Sequence, residues 1–212
     1  MITDIRLSVS PGGGVIVNGA DNIIVQGEGF SLPARTVPVH AEFRRFEADP
    51  ATATFVSRYV AASEVEAKRP VGRLLGGAAL RAEDANGEQV AGNFIADAQL
   101  AATRKNGAQV AFINSGGVRT DLAPAADGTV TYGQIFAMQP FGNSLVTKTL
   151  TGAQLKELLE QQFNSGSNTA ERPNMLLPSR GFFFAYDLRR APGDRIVEMR
   201  LNGKRVEPGA DY

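Results

Sequence analysis

A short apolar run, Ala108 to Ile113 (AQVAFI), ends abruptly in Asn114-Ser115-Gly116-Gly117-Val118-Arg119. A brief apolar run bounded by turn formers reads as a buried strand. The glycines after it let the backbone turn sharply and let a ligand come close. Arg119 then supplies a planar, permanently charged fork suited to phosphate or carboxylate. Further along, Gln139-Pro140-Phe141-Gly142-Asn143 sets an aromatic ring and a side-chain amide on a proline-stiffened turn. Ring, amide and guanidinium together suit an aromatic, phosphorylated small molecule, and a nucleotide fits best.

Elements are legible on both sides of this stretch. Ile5, Leu7 and Val9 alternate, Pro11-Gly12-Gly13-Gly14 makes a turn, and Val15-Ile16-Val17 resumes, which predicts a hairpin followed by irregular chain. Asp49-Pro50 opens a helix whose apolar stripe is Phe55, Val56, Tyr59 and Val60. A second helix is expected from about Ala91 to Arg104, closed by Asn106-Gly107. Thr131-x-x-Gln134 and Thr151-x-x-Gln154 are capping-box patterns. The first opens a short helix that Pro140 ends, and the second a helix lined by Leu155, Leu158, Leu159 and Phe163. The polar segment Ser165 to Pro173 reads as a mobile loop. Beyond it, Gly181 to Leu188 turns through Pro192-Gly193-Asp194 into Arg195 to Leu201, and Asn202-Gly203 signals another hairpin. The expected class is α+β, a mixed β-sheet flanked by helices.

Composition narrows the function classes. The chain has 212 residues, enough for one sizeable core with an appendage. Lys plus Arg equals Asp plus Glu at 22 each, so no global field favours nucleic acid or an anionic membrane. No apolar run reaches the roughly 20 residues needed to cross a bilayer, and no signal-peptide pattern opens the chain. The absence of cysteine excludes disulfides, thiolate catalysis and cysteine-bound zinc. The single histidine, His40, supplies neither a metal site nor a Ser-His pair, so no metal or other cofactor is expected in this chain.

The segments Gly92-Asn93-Phe94-Ile95-Ala96-Asp97-Ala98, Asn114 to Arg119, Gln139 to Asn143 and Leu150-Thr151-Gly152-Ala153-Gln154-Leu155 occur in the order and approximate spacing of a known family. In them the chain resembles the C-terminal, substrate-binding domain of the 5'-nucleotidases, with weaker similarity from Pro70-Val71-Gly72 through to Tyr212. The resemblance implies a 5'-nucleotidase C-terminal-domain-like fold over residues 49–212. Residues 1–48 become a hairpin and linker, either the tail of a preceding metallophosphatase domain or a hairpin of the same domain.

The resemblance also implies roles. Arg119 contacts phosphate, and Arg81 fits a second arginine position, with Arg73 as the other candidate. Phe141 forms one side of a base-stacking clamp, Asn143 and Asn114 offer amides, and Gly116 and Gly117 give close approach. These side chains are expected on one concave surface. Asp97 is expected to serve structure, and His40 to be a solvated or packing residue. The implied partners are a nucleotide or nucleoside and an N-terminal metallophosphatase domain of the same polypeptide, which would hold a pair of divalent metals. Nucleic acid and membrane are not expected partners of this segment. The parent reaction is dephosphorylation of nucleotides to nucleosides, in a secreted, periplasmic or cell-surface protein, while this chain alone is expected to be inactive. Other readings are a parent acting on 2',3'-cyclic nucleotides or nucleotide sugars, or a non-catalytic ligand-binding or adhesion module. Family members continue past a tyrosine matching Tyr212 into a strand and a Gly-Gly-Asp-Gly loop with the second clamp aromatic, so the domain is expected to be incomplete at its C-terminus.

Overall fold

The computed structural model describes residues 2–26, 30–32 and 35–212, with side chains described outside 30–37. The chain divides into two compact units, Met1–Ala62 and Ser63–Tyr212. In the first, β1 (Ile2–Val9) and β2 (Val15–Ile23) form the expected hairpin, longer than the alternation alone indicates. A register shift falls between Arg6 and Leu7. The irregular linker expected next lies partly on residues 27–29 and 33–34, outside the described residues. Within it, β3 (Phe30–Leu32) and β4 (Arg35–Val37) pair antiparallel.

The helix opened by Asp49 is α1 (Pro50–Ala67), inside which the division between the units falls. Asp49 caps it, its Oδ1 accepting the Thr52 amide at 2.7 Å. The stripe does not behave as expected. Phe55, Val56, Tyr59 and Val60 are all exposed, and α1 buries no residue. Period alone marks a face that can be buried; it does not supply the surface that buries it.

The second unit carries the predicted site. In chain order it holds β5 (Pro70–Arg73), α2 (Val90–Thr103), β6 (Phe112–Asn114), β7 (Thr129–Thr131), α3 (Tyr132–Met138) and α4 (Gly152–Glu160). Then follow β8 (Leu176–Pro178), β9 (Phe182–Tyr186), β10 (Ile196–Leu201) and β11 (Lys204–Arg205). The class is α+β as expected, but the strands are spread over small antiparallel sheets. β11-β10-β9 is three-stranded, while β5-β7 and β6-β8 are pairs. Both capping boxes are present: Thr131 and Gln134 exchange bonds of 2.8 and 3.4 Å, and Thr151 and Gln154 bonds of 2.9 and 3.2 Å. Asn202 and Gly203 both have positive φ, as the two-residue hairpin turn between β10 and β11 requires.

Two hydrophobic clusters hold the unit together. One joins α2, β7, β8 and the end of α3 through Ile95, Val130, Leu177 and Met138, and includes Val118 and Leu122 from the loop after β6. The other packs α4 onto β9 and β10 through Leu155, Leu159, Phe163, Phe182 and Ile196. α2 and β8 meet closely at Gly92, where a Cβ would fall 2.0 Å from Leu177 Cδ1. The predicted strand Ala108–Ile113 is ordered as β6 only from Phe112, because regular pairing with β8 covers Phe112 to Asn114 alone. Ala111 still pairs locally, its carbonyl accepting from Ser179 N and its amide donating to Ser179 Oγ.

Candidate functional site

The loop after β6 is built for close packing. A 3-10 turn, Ser115–Gly117, follows Asn114, and neither Gly116 nor Gly117 adopts positive φ. Their use is space, which corrects the expectation of a glycine-dependent sharp turn. A Cβ on Gly117 would lie 2.9 Å from Ile113 Cδ1, and one on Gly116 3.2 Å from Asn114 Nδ2. Asn114 makes no side-chain cap bond, so the Asx-type turn common at such positions is absent. Its carboxamide stays exposed and available.

Beyond the turn the chain is anchored from below. Val118 and Leu122 are buried at 0% and 1% exposure, leaving Arg119 between them at the surface. Arg119 N donates to Met138 O at 2.9 Å, and its Nη1 donates to Gly116 O at 3.3 Å. Arg81 arrives from a neighbouring segment. Ala79 and Leu122 exchange backbone bonds of 3.0 and 2.9 Å, and Arg81 Nε donates to Val118 O at 2.7 Å. Among the described residues neither guanidinium is within ion-pair distance of a carboxylate. Both keep N–H donors free beside one loop, which is the chemistry of an anion site. Arg73 is committed elsewhere, with Nε and Nη2 both donating to Asp127 O.

The bond from Arg119 N to Met138 O ties this loop to the end of α3, two residues before Pro140. Phe141 follows on a stretch without regular structure and is 46% exposed. It is not a core aromatic and makes no ring contact within the protein among the described residues. Phe141 and Asn143 line a groove of about 980 Å³ together with Phe94, Gln99, Lys148 and Tyr212. Arg119, Arg81, Asn114, Gly116 and Gly117 do not line it. The predicted residues therefore form two groups, a ring and amide in the groove and two arginines with an amide on the loop, joined through Met138. From Pro140 to Thr149 the chain makes no hydrogen bond within the protein among the described residues. Leu150 and Tyr212 then exchange two backbone bonds of 2.9 Å.

The remaining candidates serve structure. Asp97 Oδ1 accepts the Arg180 amide at 2.5 Å. His40 is half exposed, 3.5 Å from a Glu42 carboxylate oxygen and edge-on to Phe43. Among the described residues no group of three or more His, Asp or Glu side chains is gathered to hold a metal, so the residues present do not fit a divalent pair. No described helix is long and apolar enough to cross a membrane. Sequence reasoning missed Asp121, whose Oδ1 accepts the Arg81 amide at 2.6 Å. Its only sequence signal was its place two positions after Arg119.

Comparison with known proteins identifies the family and the fold. The pattern of the family described as "5'-nucleotidase, C-terminal domain" matches residues 66–212. The trifunctional nucleotide phosphoesterase protein YfkN of Bacillus subtilis is 36% identical over 106 residues, covering 48% of this chain and 7% of that protein. Human 5'-nucleotidase is 33% identical over 91 residues, covering 42% of this chain and 15% of that protein. The chain thus spans only a small part of these relatives. The crystal structure of a 5'-nucleotidase precursor from Thermus thermophilus superposes with a TM-score of 0.66 at 23% identity, over 98% of this chain and 43% of that one. At that identity the likeness is one of fold.

Proposed function

This chain belongs to the 5'-nucleotidase C-terminal domain family, and from that premise we propose that it is the nucleotide-recognition part of a metal-dependent hydrolase that dephosphorylates nucleotides to nucleosides. The observation that carries the reading is the pair of guanidinium groups, Arg81 and Arg119, that lie within ion-pair distance of no carboxylate among the described residues and are bonded to carbonyls of one loop. Their free donors suit the oxygens of a phosphate ester, where a charge-assisted contact is strongest. If the contact tightens as charge develops on those oxygens, it favours the transition state. Phe141 offers an exposed face to a base, and Asn143 and Asn114 offer amides to its edge or to the sugar. A preceding metallophosphatase domain of the same polypeptide would supply a divalent metal pair and its activated water. The localisation that goes with this reading is secreted, periplasmic or cell-surface.

The test uses the longer polypeptide in which chemistry is present, with AMP and a simple aryl phosphate as substrates. Phe141→Ala removes stacking worth roughly 1–3 kcal/mol, about a 5- to 150-fold loss on AMP. Stacking shared equally by ground and transition states appears in KM with kcat preserved. The aryl phosphate, whose ring is bonded directly to the phosphate and so sits at the sugar position rather than the base position, should be nearly indifferent to Phe141→Ala yet sensitive to Arg119→Ala. Equal impairment of both substrates by both folded variants would refute the division of roles.

A further inference from the structure

We propose that Asp121 is a positioning residue that fixes Arg81 at the anion site, an inference that rests on the phosphate-contacting role of Arg81 proposed above. Ala79 and Leu122 form a reciprocal backbone pair. In antiparallel pairing, the next hydrogen-bonded partners two residues along are Arg81 and Thr120. That bond is not made. The Arg81 amide turns instead to the Asp121 carboxylate at 2.6 Å. The isolated bridge is thus kept from extending by a side chain, at the residue whose guanidinium turns to the loop. Once released, Arg81 reaches across the loop and its Nε bonds Val118 O at 2.7 Å.

Arg81 is consequently held at two points, its backbone by Asp121 and its guanidinium by Val118. Val118 is fully buried and Leu122 nearly so, which makes the segment between them a stiff base for both anchors. Asp121 itself pairs with no cation among the described residues, so its carboxylate is not part of a surface ion pair. An arginine side chain has considerable rotamer freedom to lose on binding. Fixing the residue before the ligand arrives removes part of that cost from the binding step.

Nitrogen-15 relaxation of the Arg81 Nε–H group in the 212-residue chain reads this directly. Wild type should show an ordered Nε–H, Asp121→Ala a mobile one, and Asp121→Asn, which keeps an acceptor oxygen, an ordered one. Hydrogen exchange at the Ala79 and Leu122 amides should be unchanged in both variants. A second arm adds AMP and follows both arginine side chains. Asp121→Ala should weaken AMP about 2- to 10-fold, the worth of one net hydrogen bond, with no further loss once Arg81→Ala is present. An Arg81 Nε–H equally ordered in Asp121→Ala, or equally mobile in Asp121→Asn, overturns the proposal. So does lost protection at Leu122, which would make the role merely structural. If AMP binds wild type without moving either arginine, the phosphate role proposed for them fails, while the relaxation arm still decides what holds Arg81.

Discussion

Removing the Glu160 carboxylate should destabilise the second unit more than any other single truncation of a polar side chain in α4. Glu160 is 6% exposed, on the face of α4 that meets the sheet. Its Oε1 accepts the Ile196 amide at 2.6 Å and its Oε2 the Gly193 amide at 3.2 Å. Ile196 is 3% exposed, so its amide has no ready access to water once the carboxylate is gone. Gly193 is exposed and can be rehydrated. Most of the cost therefore lies at Ile196: the loss of a bond to a charged group, about 1.5–3 kcal/mol, plus the exposure-starved donor left behind. Glu160→Ala should cost about 2–4 kcal/mol in all. Glu160→Gln keeps an acceptor for Ile196 but points an NH₂ group at Gly193, and should cost about half as much. Urea titration followed by tyrosine fluorescence suits the measurement, since Tyr132, Tyr186 and Tyr212 lie in the second unit and there is no tryptophan. A loss below about 0.5 kcal/mol for Glu160→Ala, the range of an ordinary surface change, would refute the reasoning, as would equal losses for the two variants.

Two further outcomes follow from single contacts. Gly152→Ala would place a Cβ 2.2 Å from Glu207 O and 2.8 Å from Val206 Cγ1, a clash with backbone that should cost about 1–3 kcal/mol or more. Gly142→Ala, with no atom within 4 Å and no positive φ, should leave stability within about 0.5 kcal/mol of wild type; equal melting of the two variants would contradict this. Asp187 is held down to about 2 by hydrogen bonds from the Arg189 side chain and backbone, against an ordinary 3.8. Its depressed carboxyl makes the contribution of this pair present above pH 3.8 and lost as pH falls toward 2. In a carbon-13 titration Arg189→Ala, which leaves the residue-189 amide bond in place, should raise the Asp187 midpoint part of the way toward 3.8, and an unmoved midpoint would exclude the Arg189 side chain as a cause.

The features legible in the sequence were those whose causes lie within a few residues. Thr131 with Gln134, Thr151 with Gln154, the Asp49 cap before Pro50 and the Asn202-Gly203 turn each satisfy backbone groups locally, and each formed as read. What escaped reading depends on distant partners. The stripe on α1 has the right period but buries nothing, and the run before Asn114 forms regular strand only where β8 pairs with it. The same limit applies at the site. Arg119 and Phe141 could be singled out by residue type and neighbours. Arg81 was preferred to Arg73 on the resemblance alone, because the contacts that separate them are Val118 O for one and Asp127 O for the other, 37 and 54 positions away. Asp121 was invisible because its role is a bond to an amide 40 positions earlier.

The two halves of the site also differ in what holds them, and that difference bears on how a nucleotide would be bound. The arginine loop rests on Val118, Leu122 and Met138, all nearly or fully buried in one cluster, and is tied to its neighbours by backbone bonds. The Phe141 turn rests on nothing comparable, since the chain from Pro140 to Thr149 makes no hydrogen bond within the protein among the described residues. Groups held by buried contacts and backbone bonds open rarely, whereas exposed, unbonded backbone is the low-stability end of a structure. On the proposed reading, the phosphate end would meet its ligand already in place, and the base end would be ordered by the ligand that it stacks against. Ordering that stretch offsets part of the stacking energy. A base change would then alter affinity mildly, because an adaptable ring accepts any π-face. A change at the phosphate would be felt more, because the loop that carries Arg119 and receives Arg81 is held by buried contacts and backbone bonds.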